Sequence, residues 1–262
     1  MKNSIISFLL LSIVVSLPVF ATKKKTGEWQ QLFNGKDLTG WTVKMKGYDA
    51  GENFGNTFRV EDGLLKVRYD AYDTFNDRFA HLFYKDKFSH YVVRFEYRIV
   101  GEQCPGAPAW GYKNTGILIH GQRPETMEKD QNFPVSIEVQ LLGGDAVGER
   151  PTGNVCTPGT NILINNQLIL DHCTNSSGKT FRGDEWVKVE IEVHGNSLIK
   201  HIINGETVME YTQPQLDNRE PDFEKLRALN GGQVMLSEGT ICLQSESHPC
   251  DFRNVEIKVL KE

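Results

Sequence analysis

Apolar residues recur at every second position along most of this chain, and that alternation restricts it to strands with one buried and one polar face. Tyr91, Val93, Phe95 and Tyr97 alternate with Val92, Arg94, Glu96 and Arg98, and Ile137, Val139 and Leu141 alternate with Glu138 and Gln140. Val187, Val189, Ile191 and Val193 follow the same scheme, as do Ile241 with Leu243, and Val255 with Ile257 and Val259. Turn signals stand between these runs: Asp62-Gly63, Gly143-Gly144-Asp145, Asn204-Gly205 and Asn230-Gly231-Gly232. Asn204-Gly205, between Ile203 and Val208, is the strongest hairpin signal among them. Period 3.6 is nearly absent, and the best helix candidate is a short one over 222–229. Many short strands with one apolar face each specify an all-β fold of two antiparallel sheets packed as a sandwich. With no linker or repeat to divide it, the chain after residue 21 reads as one domain, 22–262.

Residues 1–21 read as a secretory signal peptide, with Lys2 ahead of an apolar run over 5–20 and Val19-Phe20-Ala21 at the cleavage point. A membrane span needs ~20 apolar residues, whereas this run carries Ser7, Ser12, Ser16 and Pro18. The expectation is therefore export to the periplasm or the exterior, without stable membrane insertion once the leader is cleaved. No Cys precedes Cys104, which argues against a lipoprotein anchor. Loss of Lys2 leaves 28 Lys and Arg against 34 Asp and Glu, from 29 against 34 in the whole chain, so the net charge moves from −5 to −6. Nucleic acid is not an expected partner of such a balance. Five Cys cannot all pair within a monomer, and Cys156 with Cys173, flanking a hairpin-like apolar segment, is the first choice for a bridge. Zinc explains them poorly, since there is no Cys-x2-Cys pair.

The segment from Phe33 to Trp41, Phe-Asn-Gly-Lys-Asp-Leu-Thr-Gly-Trp, opens a series of ordered blocks. It continues through Glu61-Asp62-Gly63-Leu64-Leu65, Asn114-Thr115-Gly116-Ile117, Glu138-Val139-Gln140-Leu141-Leu142 and Glu185-Trp186 to Phe252-Arg253-Asn254-Val255. Taken together they resemble the 3-keto-α-glucoside 1,2-lyase / 3-keto-2-hydroxy-glucal hydratase family, also called 3-keto-disaccharide hydrolases. That resemblance implies a concanavalin A-like jelly roll acting on carbohydrate, a 3-keto-glucoside or a related glycan. The chain departs from the family pattern in two places. Gly143-Gly144 stand where the family commonly has Asp, and 155–182 form a long insertion carrying two Cys and His172.

Glu138 and Gln140 lie on the polar phase of one strand, and Gln244 and Glu246 on that of another, with His248 just beyond. His120 occupies the polar phase of the strand that begins at Ile117. If these strands are neighbours, the six side chains form one cluster. The implied elimination needs a base for the proton on C2, an acid for the leaving oxygen and a donor for the enolate. Glu138 or His120 is the candidate base and Glu246 or His248 the candidate acid. Gln140, Gln244, Asn114, Arg98, Trp110 and Tyr112 are candidate substrate contacts. No cofactor is assigned, although a divalent metal held by Glu138 and His120 could supply the electrophile instead.

Three other readings compete. The same polar face could be ordinary solvated sheet; His81, His90, His194 and His201 read as structural or surface residues, and His172 as a groove-edge contact or, in preference, a loop residue. Trp186, just before an apolar strand phase, reads as core. A conventional glycosidase would need two carboxylates ~5–5.5 Å apart, and the strand from Glu138 carries only one. A non-catalytic carbohydrate-binding module, or an adhesion domain of the laminin G kind, would use the same sheet without turnover.

Overall fold

The computed structural model describes residues 26–261, so the leader assigned to 1–21 lies outside the described residues. The chain begins with β1 (Trp29–Gln31), β2 (Trp41–Met45), β3 (Phe58–Glu61), β4 (Leu64–Val67), β5 (Ala80–Phe88) and β6 (His90–Ile99). It continues through β7 (Asn114–Gly121), β8 (Ile137–Gly144), β9 (Asn154–Cys156), β10 (Thr160–Ile164), β11 (Gln167–Ile169), β12 (Cys173–Thr174) and β13 (Phe181–Arg182). The last part holds β14 (Val187–His194), β15 (Leu198–Ile203), β16 (Glu206–Leu216), the helix α1 (Phe223–Leu229), β17 (Gly239–Ser245) and β18 (Cys250–Val259). No helix among the described residues is long and apolar enough to cross a membrane.

The strands make two sheets. The larger runs in the order β11, β10, β16, β15, β14, β6, β18, β4, β3, with β1 also on β18; the smaller runs β12, β9, β8, β7, β17, β5, β2. All ladders are antiparallel except the short β13, which joins β8 in parallel. Tyr91, Val93 and Phe95 of β6 and Val189 and Ile191 of β14 share one buried core with Ile117, Val139, Leu141, Ile241 and Leu243 of the smaller sheet. The apolar phases therefore meet between the layers, which is the jelly-roll sandwich of the concanavalin A type. At the predicted hairpin Asn204 and Gly205 take φ of 49° and 86°, a pair of left-handed residues that suits the twist of β15 and β16. The insertion crosses from one layer to the other: β9 and β12 extend the smaller sheet while β10 and β11 extend the larger.

On the outer face of the larger sheet, alternating charges pair across strands. Arg253 bonds Glu96 at 2.6 Å, Arg98 pairs with Asp251 at 2.8 Å, and Arg94 lies 3.7 Å from the Trp29 ring centre. Two expectations are corrected here. Trp186 is half-buried between the guanidinium groups of Arg98 and Arg253, at 4.7 and 4.0 Å, and not in the core. Arg98 is committed to Asp251 and Trp186 on this face, so it cannot contact a substrate held on the smaller sheet.

Candidate active site

The second face of the smaller sheet carries two rows of side chains. One row runs Lys44, His81, Gln244 and, beyond Gly116, Gln140 and Asn154. The next runs Phe83, Cys242, Leu118, Glu138 and Cys156. Glu138 is thus a carboxyl in an otherwise apolar row, and it is 5 % exposed. Burial pushes it up to about 8, against the hydrogen bonding of Gln244. Glu246, 3 % exposed, follows Gln244 on the same phase just past the end of β17. Burial and the charge of Glu138 push it well above the usual carboxylate range, with Gln244 and Arg150 opposing.

Gln244 stands beside both carboxyls and bonds one of them. Its Nε2 donates to Glu246 Oε1 at 2.6 Å, and its Oε1 is turned toward Gly116. Gly116 makes this possible, because a Cβ there would stand 2.6 Å from Gln244 Oε1 and 3.2 Å from Glu138 Oε1. Glu138 Oε1, Gln244 Oε1, Glu246 Oε2 and Asn114 Oδ1 are all buried without a hydrogen-bond partner. A buried acceptor left unmet costs on the order of 1–3 kcal/mol, so acceptors placed this way suit the hydroxyl donors of a ligand.

Glu138, Glu246 and Asn114 open into a pocket of about 320 Å³ lined also by Trp110, Gln140 and His172, together with Phe133, Pro158 and both cysteines of the insertion. Trp110, 50 % exposed, lies flat on Phe79 with 5.3 Å between ring centres, an exposed aromatic platform at the rim. Gln140 Oε1 accepts from Asn154, which leaves its Nε2 for a ligand. Cys156 and Cys173 form the expected disulfide, on residues that face each other across β9 and β12. That bond fixes the insertion beside the pocket. Burial lowers the basicity of His172, next to Cys173, and so favours the neutral ring. The double variant Cys156→Ser/Cys173→Ser should lose about 3 kcal/mol of stability, given a loop of 17 residues, and should bind substrate more weakly. Urea midpoints and KM would check this; an unchanged KM would show that the wall stands without the bond.

Several predicted site residues lie elsewhere. A bulge in β7, where Leu118 and Gly121 pair with Cys242 and Thr240, puts His120 at φ 50° and turns its ring away from the cluster. His120 Nε2 donates to Gly195 O at 2.9 Å, and the ring lines a different cleft with Lys87 and Glu238, so the structure does not bring it together with Glu138 as the base or metal ligand expected from sequence. Among the described residues no three His, Cys, Asp or Glu side chains gather as a metal site. His248 accepts from Lys113 N through Nδ1 and packs edge-on against Tyr112, behind the pocket wall. Tyr112 itself donates to Asp145 and does not line the pocket. Gln244 is fully buried and acts on the carboxyls; it is not a lining residue.

Other residues enter unannounced. His172, read from sequence as a groove-edge contact or, in preference, a loop residue, lines the pocket. Arg150, from the turn after β8, donates to the carbonyls of Trp110, Tyr112, Lys113 and Gly143 and so secures the loop that carries Trp110. Nothing in its sequence context marks it. His81 is a fully buried ring beside Gln244 with neither nitrogen partnered, held neutral by burial.

The sequence model of the 3-keto-α-glucoside-1,2-lyase-like domain matches residues 28–258. The chain belongs to this family. Among solved structures, the lyase-like domain is similar to two Parabacteroides distasonis proteins provisionally described as glycosyl hydrolases. One is 20% identical, covering 89% of this chain and 94% of that one with a TM-score of 0.51. The other is 16% identical, covering 89% and 100% with a TM-score of 0.53. Both likenesses concern the fold. No curated protein matches the sequence. Membership places the lyase-like domain in a carbohydrate-active class, on the fold that its alternation predicts.

Proposed function

We propose that this protein is an exported enzyme that cleaves or hydrates 3-keto-glycosides by base-assisted elimination and hydration at C1 and C2. The observation that carries the reading is the buried Glu138 and Glu246 pair, both raised in pKa, with Gln244 beside them and both open to a ligand pocket. Two carboxyls in such surroundings keep at most one negative charge between them. In this reading Glu138 is the ionised member of the pair and Glu246 the protonated one.

A C3 ketone acidifies the C2 proton, which Glu138 accepts as the electron pair moves into the enolate. The pair then returns, the C1–O bond breaks, and the departing oxygen takes the proton of Glu246. Hydration runs the same steps backward: ionised Glu246 takes a proton from water as its oxygen bonds C1, and Glu138 returns its proton to C2. The pair ends as it began. Gln140 Nε2 and the neutral His172 ring serve as donors to the keto oxygen or neighbouring hydroxyls. The Cys156–Cys173 bond supports an oxidising, extracytoplasmic compartment.

A turnover assay on a 3-keto-glucoside beside its unoxidised parent tests the reading. Release of the aglycone from the keto sugar alone is the expected result. Release from the parent as well would favour an ordinary glycosidase, and binding without release a carbohydrate-binding module.

A further inference from the structure

The bulge that turns His120 away from Glu138 gives its ring another place in the fold. The ring, 2 % exposed, lines a cavity of about 90 Å³ walled by Val135, Leu216, Leu226, Leu229 and Leu236. Its backbone is held at φ 50°, a left-handed conformation uncommon outside glycine. Gly239 leaves room for it, since a Cβ there would stand 2.3 Å from the His120 carbonyl carbon. Strain kept in place by its surroundings is a feature of ligand clamps. The carbonyl of Gly195 can only accept, so Nε2 carries the hydrogen of the ring. Burial keeps the ring neutral, lowering its pKa to about 4, and Nδ1 remains an acceptor, buried without a hydrogen-bond partner. An occupant of the cavity therefore needs a donor for Nδ1 and an apolar body for the aliphatic walls. It needs no charge, because Lys87 pairs with Glu238 at 2.9 Å and Arg123 with Glu125 at the rim. A sugar fits poorly, since its other hydroxyls would lie unmet against five aliphatic side chains.

We infer that this cavity is a second ligand site, separate from the carboxyl pocket, for a compact neutral hydroxyl compound of the phenol kind, whose O–H donates to His120 Nδ1. Leu226 and Leu229 belong to α1, a helix with no buried residue of its own, so an occupant covers its apolar side and holds it to the sheet. The site does not depend on the keto-sugar reading. Calorimetry with phenol, toluene and benzoate tests it, together with amide hydrogen exchange over 223–229. Phenol should bind, slow exchange across the helix, and bind about tenfold more tightly than toluene, which has the same shape without the donor. Benzoate would carry a charge into an apolar cavity and should not bind measurably. Leu229→Asp, at a position 51 % exposed, should weaken phenol about tenfold, whereas Trp110→Ala should leave it unchanged. His120→Phe should erase the preference for phenol over toluene; if that variant does not fold, the toluene comparison and Leu229→Asp decide without it. Failure of phenol to bind, equal affinity for toluene, a preference that survives His120→Phe, or indifference to Leu229→Asp would overturn the site. Loss of binding in Trp110→Ala would do the same, by placing phenol on the aromatic platform of the other pocket.

Discussion

Glu138→Gln should reduce kcat/KM on a 3-keto-glucoside by about 10²–10⁴-fold, the usual range for losing a general base. The substitution keeps the shape and the hydrogen-bonding capacity of a side chain that sits among Phe83, Cys242, Leu118 and Cys156. Wild-type kcat/KM should rise with pH through about 8 as Glu138 ionises. Stability moves the other way. A carboxyl raised from 4.5 to about 8 on folding stabilises the protein below its unfolded value, and that contribution is lost as pH climbs through the folded one. Glu138→Gln removes this dependence, so it should melt above the wild type at pH 8, with the gap closing toward pH 5. Melting curves at the two pH values alongside the kinetics test both halves; full activity in the variant, or a gap that widens on acidification, would sink the assignment.

Gly116→Ala should be nearly as damaging to activity, by a different route. The backbone at Gly116 is not in the left-handed region, so alanine would gain ~0.4–1 kcal/mol from a stiffer unfolded chain. Against this, its methyl would stand 2.6 Å from Gln244 Oε1 and 3.0 Å from the Val139 carbonyl oxygen. Overpacking of that kind costs about 1–3 kcal/mol, so net destabilisation is expected. Because the Val139 oxygen is backbone, relief must come from Gln244, which parts from Glu246. We expect a cooperative unfolding transition at lower denaturant and at least a tenfold loss of kcat/KM. Wild-type kinetics in Gly116→Ala would show that the Gln244–Glu246 bond is dispensable.

Period-two alternation was a reliable guide to the layers because each strand contributes one face to a single core, and burying that face overrides every local preference. The same periodicity cannot tell one polar face from another. Arg98 and Glu138 look alike in sequence, each on the wet phase of a strand, yet one lies on the ion-paired exterior of the larger sheet and the other in the pocket of the smaller. His120 was misplaced for a related reason, since the β7 bulge inserts an extra residue and breaks the parity on which the reading rests. His172 and Arg150 reach the site from an insertion and a turn, where no period exists to be read.

The sequence by itself determined the strands, the hairpin at Asn204-Gly205 and the presence of Glu138 and Gln140 on one polar phase, and it put Cys156 with Cys173 first among the possible bridges. Those properties are local, set by side-chain alternation, turn chemistry and short loops. Only the tertiary structure decided which polar residues share a pocket, because the neighbours of β8 are β7 and β9, and Glu246 arrives from β17, more than a hundred residues away. The raised pKa values of Glu138 and Glu246 follow from that assembly, since desolvation is a property of what surrounds a carboxyl and of nothing in the carboxyl itself.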